Sequence, residues 1–245
     1  MRTFDSAFRV PSQALRGLLA ALAMSAAAAP ALAATVTSSI SYDTLGLANT
    51  SWLVPASVSV SDPALASVSV SDLPTIPYYG YDLQHSTYMR GGADSNVDGT
   101  MSSGLHMRAG GQLVAQTEWR DSFTNSSGTA QSYVMNFSIG GFSATLGGWS
   151  GDHATRDFRG AYEASILVNG VSVWSSGQRF SLQNGTTTLS KSGVDIGTGA
   201  VTPADDTDGY WEYTLGGYSG SAALGSFAAG QSFEVKYVLR SIGYW

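Results

Sequence analysis

The sequence predicts an all-β protein, an antiparallel β-sandwich with a jelly-roll-like arrangement. Three observations support this prediction. Apolar and polar residues alternate along several stretches, Gly and Asn breaks separate these stretches at intervals of about ten residues, and charged residues make up only 12% of the chain. Glu, Lys and Arg usually fill the solvent face of helices, so a chain this poor in them is unsuited to several amphipathic helices.

Residues 1–33 predict a secretory signal that is removed from the mature protein. Three arginines make its start basic, Gly17–Ala29 is a run of apolar and small residues, and Ala31 and Ala33 are the small residues at −3 and −1 of a cleavage site. Removing this segment takes three Arg and one Asp from the 12 basic and 18 acidic residues, which leaves 9 and 17 and a formal net charge of −8.

The mature chain is acidic and free of cysteine. Its negative charge argues against nucleic acid as a partner, because nucleic-acid binding needs a basic surface. A chain of this length can bury enough apolar surface to fold without disulfides, and no later apolar run reaches the roughly 18 residues of a transmembrane helix. We therefore expect a secreted or cell-surface protein, with the periplasm and the outer membrane left open.

Residues 34–77 are predicted to form N-terminal strands and a linker, either separate from or continuous with a β-sandwich domain at 78–245. The N-terminal part contains a direct repeat, because Ala56–Asp62 and Ala66–Asp72 both read ASVSVSD. The repeat predicts a hairpin of two Val/Ser strands. The alternative is self-association through exposed strand edges, since these strands have few charged residues to protect them.

Residues 113–123 predict a half-buried strand, because apolar residues recur at every second position. Asn125–Gly128 breaks the pattern, which restarts at Tyr133, so the two stretches predict a hairpin with a loop of several residues. The residues expected on the buried face are Leu113, Ala115, Thr117, Trp119 and Phe123, and those opposite are Gln116, Glu118 and Arg120.

A second hairpin is predicted around Asn169-Gly170, which separates a strand ending at Val168 from one starting at Val171. Asn-Gly readily adopts the positive φ angles of a type I′ turn. Ala228–Gly230 predicts the turn before a last alternating strand that starts at Phe233. The residues expected on its buried face are Phe233, Val235, Tyr237 and Leu239, and those opposite are Glu234, Lys236 and Arg240.

Two acidic segments, Asp94–Gly99 and Asp205–Gly209, predict calcium sites. Asp94–Gly99 matches the first six positions of a D-x-[DN]-x-[DN]-G calcium loop, but its twelfth position is Leu105 instead of Glu, which excludes an EF-hand. The alternative is an Asx-rich surface turn. The candidate calcium ligands are Asp94, Asn96, Asp98, Asp205, Asp206 and Asp208.

Aromatic residues predicted to be exposed are candidate carbohydrate-binding residues, because flat aromatic rings stack on sugar rings. Trp149 lies in a Gly/Ser-rich loop and is the strongest of them. Most Trp and Tyr residues of sandwiches instead fill the core. The candidates are Trp149, Trp174, Tyr79 and Tyr81.

No catalytic motif is present. Gly148–Asp152 and Gly217–Ser221 approach G-x-S-x-G but lack the final Gly, and the three His residues are too far apart in sequence to predict a zinc site. No enzymatic activity is therefore predicted, although a glycosidase pair of carboxylates could come from anywhere in the chain.

Three segments, 119–141, 166–177 and 224–239, resemble secreted proteobacterial β-sandwich proteins, many of which carry a PEP-CTERM sorting tail. The resemblance implies a sandwich fold and export. This sequence has no Pro-Glu-Pro, apolar helix or Arg cluster after Leu239, so the resemblance is to such proteins without the tail.

The sequence as a whole favours an extracellular or surface-associated structural or binding module, associated with polysaccharide or matrix. The alternatives are an eight-stranded outer-membrane β-barrel, which an acidic Gly/Tyr-rich composition and the aromatic Trp245 also fit, and a secreted hydrolase of unrecognised type. No required cofactor is predicted apart from the possible calcium.

Overall fold

The computed structural model describes residues 34–43, 56–62, 67–71, 89–96, 101–107, 112–140, 142–146, 157–183, 186–205 and 210–244. Within these ranges all the regular structure is β-strand, and the strands pair antiparallel. The strands are β1 (Thr35–Asp43), β2 (Ala56–Asp62), β3 (Ser67–Ser71), β4 (Met89–Asn96), β5 (Met101–Met107), β6 (Gln112–Thr124), β7 (Gln131–Ile139), β8 (Phe142–Leu146), β9 (Asp157–Val168), β10 (Val171–Gln183), β11 (Thr186–Gly193), β12 (Ala200–Asp205), β13 (Tyr210–Leu215), β14 (Tyr218–Phe227) and β15 (Ser232–Tyr244).

One layer of the fold is a seven-stranded sheet in the order β11-β10-β9-β15-β6-β1-β2. The period-two pattern of β6 explains its two faces, because Leu113 and Trp119 are buried whereas Gln116 and Glu118 are only partly covered. We call the face that carries Leu113 the inner face and the face that carries Gln116 the outer face. The burial pattern predicted for this strand is confirmed.

The inner face is covered by three smaller sheets, β12-β13-β8, β14-β7 and β3-β4-β5. Phe142 of β8 packs against Tyr162 of β9, with their ring centroids 5.4 Å apart. Ser103 of β5 shares a buried hydrogen bond of 2.7 Å with Ser241 of β15. The antiparallel sandwich predicted from the sequence is confirmed, while its jelly-roll version stays a prediction.

The hairpin predicted from β6 and β7 is wrong, because the two strands lie in different sheets. Strand β6 is paired on both sides, by β1 and β15, so neither of its edges is open to β7. Strand β7 pairs with β14 instead. The connection at residues 125–130 therefore crosses from one layer to the other, and 228–231 crosses back between β14 and β15.

These two crossings are fastened together by Asn125, whose side chain is fully buried. Its amide Nδ2 donates hydrogen bonds to the carbonyls of Phe227, Ala228 and Thr129 at 2.8, 3.0 and 2.9 Å. Its backbone also exchanges hydrogen bonds with residues 230–231, at 2.7 and 2.9 Å. Asn125 thus bonds carbonyls at both crossings, that of Thr129 on the first and those of Phe227 and Ala228 where the second begins.

The hairpin predicted for the ASVSVSD repeat is also wrong. Strand β2 pairs with β1 in the seven-stranded sheet, whereas β3 pairs with β4 in a three-stranded sheet. In the described residues each copy forms an edge strand of its own sheet. Because β1 also pairs with β6, strands from residues 34–77 and from 78–245 share one sheet.

The hairpin between β9 and β10 is confirmed. Asn169 and Gly170 have φ angles of 49° and 81°, as a type I′ turn requires. The turn predicted before β15 is also present, with Gly230 at a φ of 74°.

Candidate functional site

The middle of the outer face carries a row of short side chains. Val238 of β15 lies opposite Ser165 of β9, which in turn lies opposite Ser175 of β10. On its other side Val238 lies opposite Glu118 of β6. Directly opposite residues on neighbouring strands share one face of a sheet, so Val238, Ser165 and Ser175 form a line of short side chains that ends at the longer Glu118.

Longer side chains flank this row on both sides. On one side Gln116 lies opposite Arg240, and Arg240 lies opposite Glu163. On the other side Lys236 lies opposite Leu167. A low floor between two rows of long side chains forms a half-open cavity of about 320 Å³. Its lining residues are Gln116, Glu118, Glu163, Ala164, Ser165, Leu167, Ser175, Ser176, Ser192, Lys236, Val238 and Arg240.

An ion-pair cluster holds the side chains at one end of the cavity. Glu118 is bonded by Arg120 at 2.9 Å and by Lys236 at 2.8 Å. Arg120 also lies 3.6 Å from Glu234. The Glu118 side chain is only 14% exposed, so both of its carboxylate oxygens are held in place at the rim of the cavity.

A second cluster holds the other end. Glu163 is bonded by Arg179 at 3.1 Å and lies 3.7 Å from Arg240. Arg240 also donates a hydrogen bond of 2.5 Å from Nε to Oε1 of Gln116. These exposed ion pairs add little to the free energy of unfolding. Their main effect is to order the side chains that surround the cavity.

The cavity offers both hydrogen-bond donors and acceptors in balanced charge. Two carboxylates, Glu118 and Glu163, face two cations, Lys236 and Arg240, and the serine hydroxyls on the floor can both donate and accept. Such a lining suits an uncharged ligand rich in hydroxyl groups. It gives no preference to a polyanion or a polycation.

The fold and this cavity define an antiparallel β-sandwich with a polar site on the outer face of its larger sheet. Comparison with known proteins adds nothing to this description: the chain matches no protein-family model, no curated protein and no solved structure.

The sequence predicts that Trp174 is exposed, and this prediction is wrong. The ladder between β9 and β10 shifts register between Ser172 and Trp174, so Val173 is an extra residue. This bulge turns Trp174 to the inner face, where it is 6% exposed and its ring lies edge-on to Phe137 at 4.6 Å. Its indole is therefore covered against a ligand that approaches from solvent.

Two of the candidate calcium ligands lie in a strand. Asp94 and Asn96 belong to β4, the central strand of a three-stranded sheet, where Asp94 is opposite both Ser69 and Ser102. Asp205 ends β12. Calcium binding stays a prediction, and the described residues contain no group of three or more His, Asp or Glu side chains that could hold a metal ion.

The remaining candidate residues lie outside the described residues. They are Asp98, Asp206 and Asp208 of the calcium prediction, and Trp149, Tyr79 and Tyr81 of the carbohydrate prediction. A search of the described part of the chain finds no helix long and apolar enough to cross a membrane.

The sequence by itself does not single out the residues that line the cavity. Alternation predicts Gln116 and Glu118 on the polar face of one strand, and Lys236 and Arg240 on the polar face of another. Only the pairing of β15 with both β6 and β9 brings these residues and Glu163 together. Polar residues at alternate positions are the signal that could have suggested them.

A cluster of tyrosines lies on the opposite side of the sheet, in the core. Burial, together with the nearby Tyr162, raises the pKa of the Tyr213 phenol to about 12 and that of Tyr237 above its usual range. The Tyr213 hydroxyl donates to Oε1 of Gln178. The Tyr237 hydroxyl has no hydrogen-bond partner among the described residues. Both tyrosines are thus neutral residues of the core.

Proposed function

We propose that this protein is an exported β-sandwich module that binds uncharged, hydroxyl-rich polysaccharide through the outer-face cavity. The cavity of about 320 Å³ between the two ion-pair clusters carries this proposal. A sugar ring needs several donors and acceptors at fixed positions, and binding sites commonly place a few polar groups around a preformed depression.

The charge of the protein supports a neutral ligand. The mature chain predicted from the sequence has a formal net charge of −8, and a negative protein repels polyanions at a distance. At the cavity itself the charges of Glu118 and Glu163 are matched by those of Lys236 and Arg240. A neutral polysaccharide is not repelled by the net charge, and it does not require an unpaired charge in the cavity.

The ion pairs support the proposal because they reduce the cost of ordering the site. Long side chains such as Arg240 lose rotamer entropy when a ligand fixes them. Arg240 is already held by Glu163 and Gln116, so part of that entropy is lost on folding. The carboxylate of Glu163 can accept from sugar hydroxyls while it keeps its arginine partners.

Binding to immobilised neutral polysaccharides tests this function, with Ser165→Leu as the blocking variant. Ser165 lies on the cavity floor, so a leucine there fills the depression, and we expect at least a tenfold loss of affinity. Ser190→Leu is the matched control, because Ser190 is exposed on β11 and does not line the cavity. Both variants are compared by urea unfolding to exclude a loss of fold.

The outcomes distinguish this site from the predicted aromatic site at Trp149. Equal affinities for Ser165→Leu and the wild type would refute the outer-face site. If Trp149→Ala alone abolishes binding, the ligand is held by the segment that contains Trp149. If no neutral polysaccharide is retained at all, the module has a structural role and the proposal is wrong.

A further inference from the structure

The two copies of the Ser/Val repeat lie at the edges of two sheets. In the part of the chain that the structure describes, β2 pairs with β1 alone and β3 with β4 alone. The free side of an edge strand presents backbone N–H and C=O groups to any strand that can align with it.

The sequence of the β2 edge is self-complementary. Residues 57–61 read Ser-Val-Ser-Val-Ser in both directions. If two copies pair antiparallel around Ser59, each Ser59 faces its counterpart and Val58 faces Val60 of the second copy. Opposite residues share a face, so the valines of both copies lie on one side of the joined sheet and the serines on the other.

Residues 57–61 of this edge lack the residue types that usually protect an edge strand. Natural edges carry Lys, Pro or inward-pointing charges that prevent pairing with another chain. Residues 57–61 contain none of these, and the first charge is Asp62 at the end of the strand. The opposite edge strand of this sheet, β11, carries Lys191.

We propose that β2 pairs antiparallel with β2 of a second copy of this chain and joins the two seven-stranded sheets into one. The outer faces then become continuous across the join. Nine strand spacings of about 4.8 Å separate β9 of one copy from β9 of the other. The two outer-face cavities would lie about 43 Å apart on one surface.

Single cysteines test this pairing, because the chain has no cysteine of its own. At the centre of the proposed ladder the two Cα atoms of residue 59 lie about 4.5 to 5.5 Å apart, within the range of a disulfide. We expect Ser59→Cys to give a covalent dimer under mild oxidation. Ser39→Cys is the matched control, since Ser39 lies opposite Ser59 on β1, about 14 Å from its counterpart.

Ser69→Cys in β3 completes the set, because Ser67–Ser71 is the second copy of the palindrome. A dimer from Ser59→Cys but not from Ser39→Cys supports the proposal. Equal cross-linking of both variants indicates random collision and overturns it. Cross-linking of Ser69→Cys alone overturns it too, because β3 would then be the associating edge.

Sedimentation velocity gives a second measurement that needs no covalent bond. A ladder of about five residue pairs buries less area than a standard interface, so we expect the wild type to dimerise only at high protein concentration. Ser59→Lys places two like charges about 5 Å apart and should weaken the dimer at least tenfold. Ser39→Lys places the two lysines farther apart than the Debye length, so this variant should not weaken the dimer. A wild type that stays monomeric at every concentration overturns the proposal.

Discussion

Replacing Asn125 by alanine should destabilise the protein more than its loop position suggests. The substitution removes a fully buried amide whose Nδ2 donates to three backbone carbonyls, one of them the buried carbonyl of Phe227. A buried polar group left without its hydrogen bond costs about 1 to 3 kcal/mol. The other two carbonyls are partly exposed, and the shorter alanine side chain leaves a small void. We therefore expect the free energy of unfolding to decrease by about 3 kcal/mol. For a chain of this size, that loss corresponds to a decrease in Tm of roughly 9 °C.

Urea unfolding followed by tryptophan fluorescence measures this loss, with Asn136→Ala as the matched control. Asn136 is exposed on β7, so its replacement should change the free energy of unfolding by less than about 0.5 kcal/mol. Asn125→Asp should cost at least as much as Asn125→Ala, because the carboxylate keeps the acceptor for Ser127 but cannot donate to the carbonyls. The reasoning fails if Asn125→Ala and Asn136→Ala unfold at the same urea concentration.

Two further predictions concern polar groups on the inner face. Tyr237→Phe should raise the free energy of unfolding by about 1 kcal/mol, because it removes a buried hydroxyl that has no partner among the described residues. Tyr213→Phe should lower the free energy of unfolding, because the Tyr213 hydroxyl donates to Gln178. Urea unfolding in which both variants change the free energy with the same sign would contradict this prediction. Asp121 lies opposite the buried Val235, and burial raises the pKa of its carboxyl despite the hydrogen bond from Ser122. A raised pKa means that the favourable contribution of this carboxyl is present at low pH and is lost as the pH rises through the folded-state pKa. Asp121→Asn should therefore stabilise the protein at pH 7, by less than about 1 kcal/mol because the carboxyl is partly exposed. This gain in stability should vanish below about pH 3, where the carboxyl is protonated in both states. Melting curves in which the gain is the same at every pH would contradict this prediction.

Local patterns in the sequence predicted the strands and their faces well. Alternation reports whether each face of a strand meets solvent or core, and it placed Leu113 and Trp119 inside correctly. The Asn169-Gly170 turn was equally predictable, because few other dipeptides adopt two successive positive φ angles. Both features depend on residues within a few positions of each other.

Pairing could not be predicted, because alternation does not identify the neighbour of a strand. Strand β7 has the pattern expected of a partner for β6, yet β1 and β15 occupy both sides of β6. Trp174 shows a second limit. One extra residue, Val173, reverses the face of every later position, and no local pattern reveals that insertion.

The candidate site was hidden for the same reason. Glu118, Glu163 and Arg240 come from three strands that are far apart in the chain. Each has an ordinary solvent-facing position in its own strand. Their common cavity exists only because β15 lies between β6 and β9, which the sequence of any one strand does not state.

The central place of β15 also affects when the seven-stranded sheet can form. Its partners β6 and β9 both precede it in the chain, and Tyr244 meets Gln112 across a separation of 132 residues. Contacts this distant in sequence make folding slow. A chain that emerges from its amino-terminal end, from a ribosome or through a membrane pore, exposes unpaired sides of β6 and β9 until β15 arrives. During that interval β6 and β9 of different copies could pair wrongly, so we expect the growing chain to depend on slow release or on a chaperone.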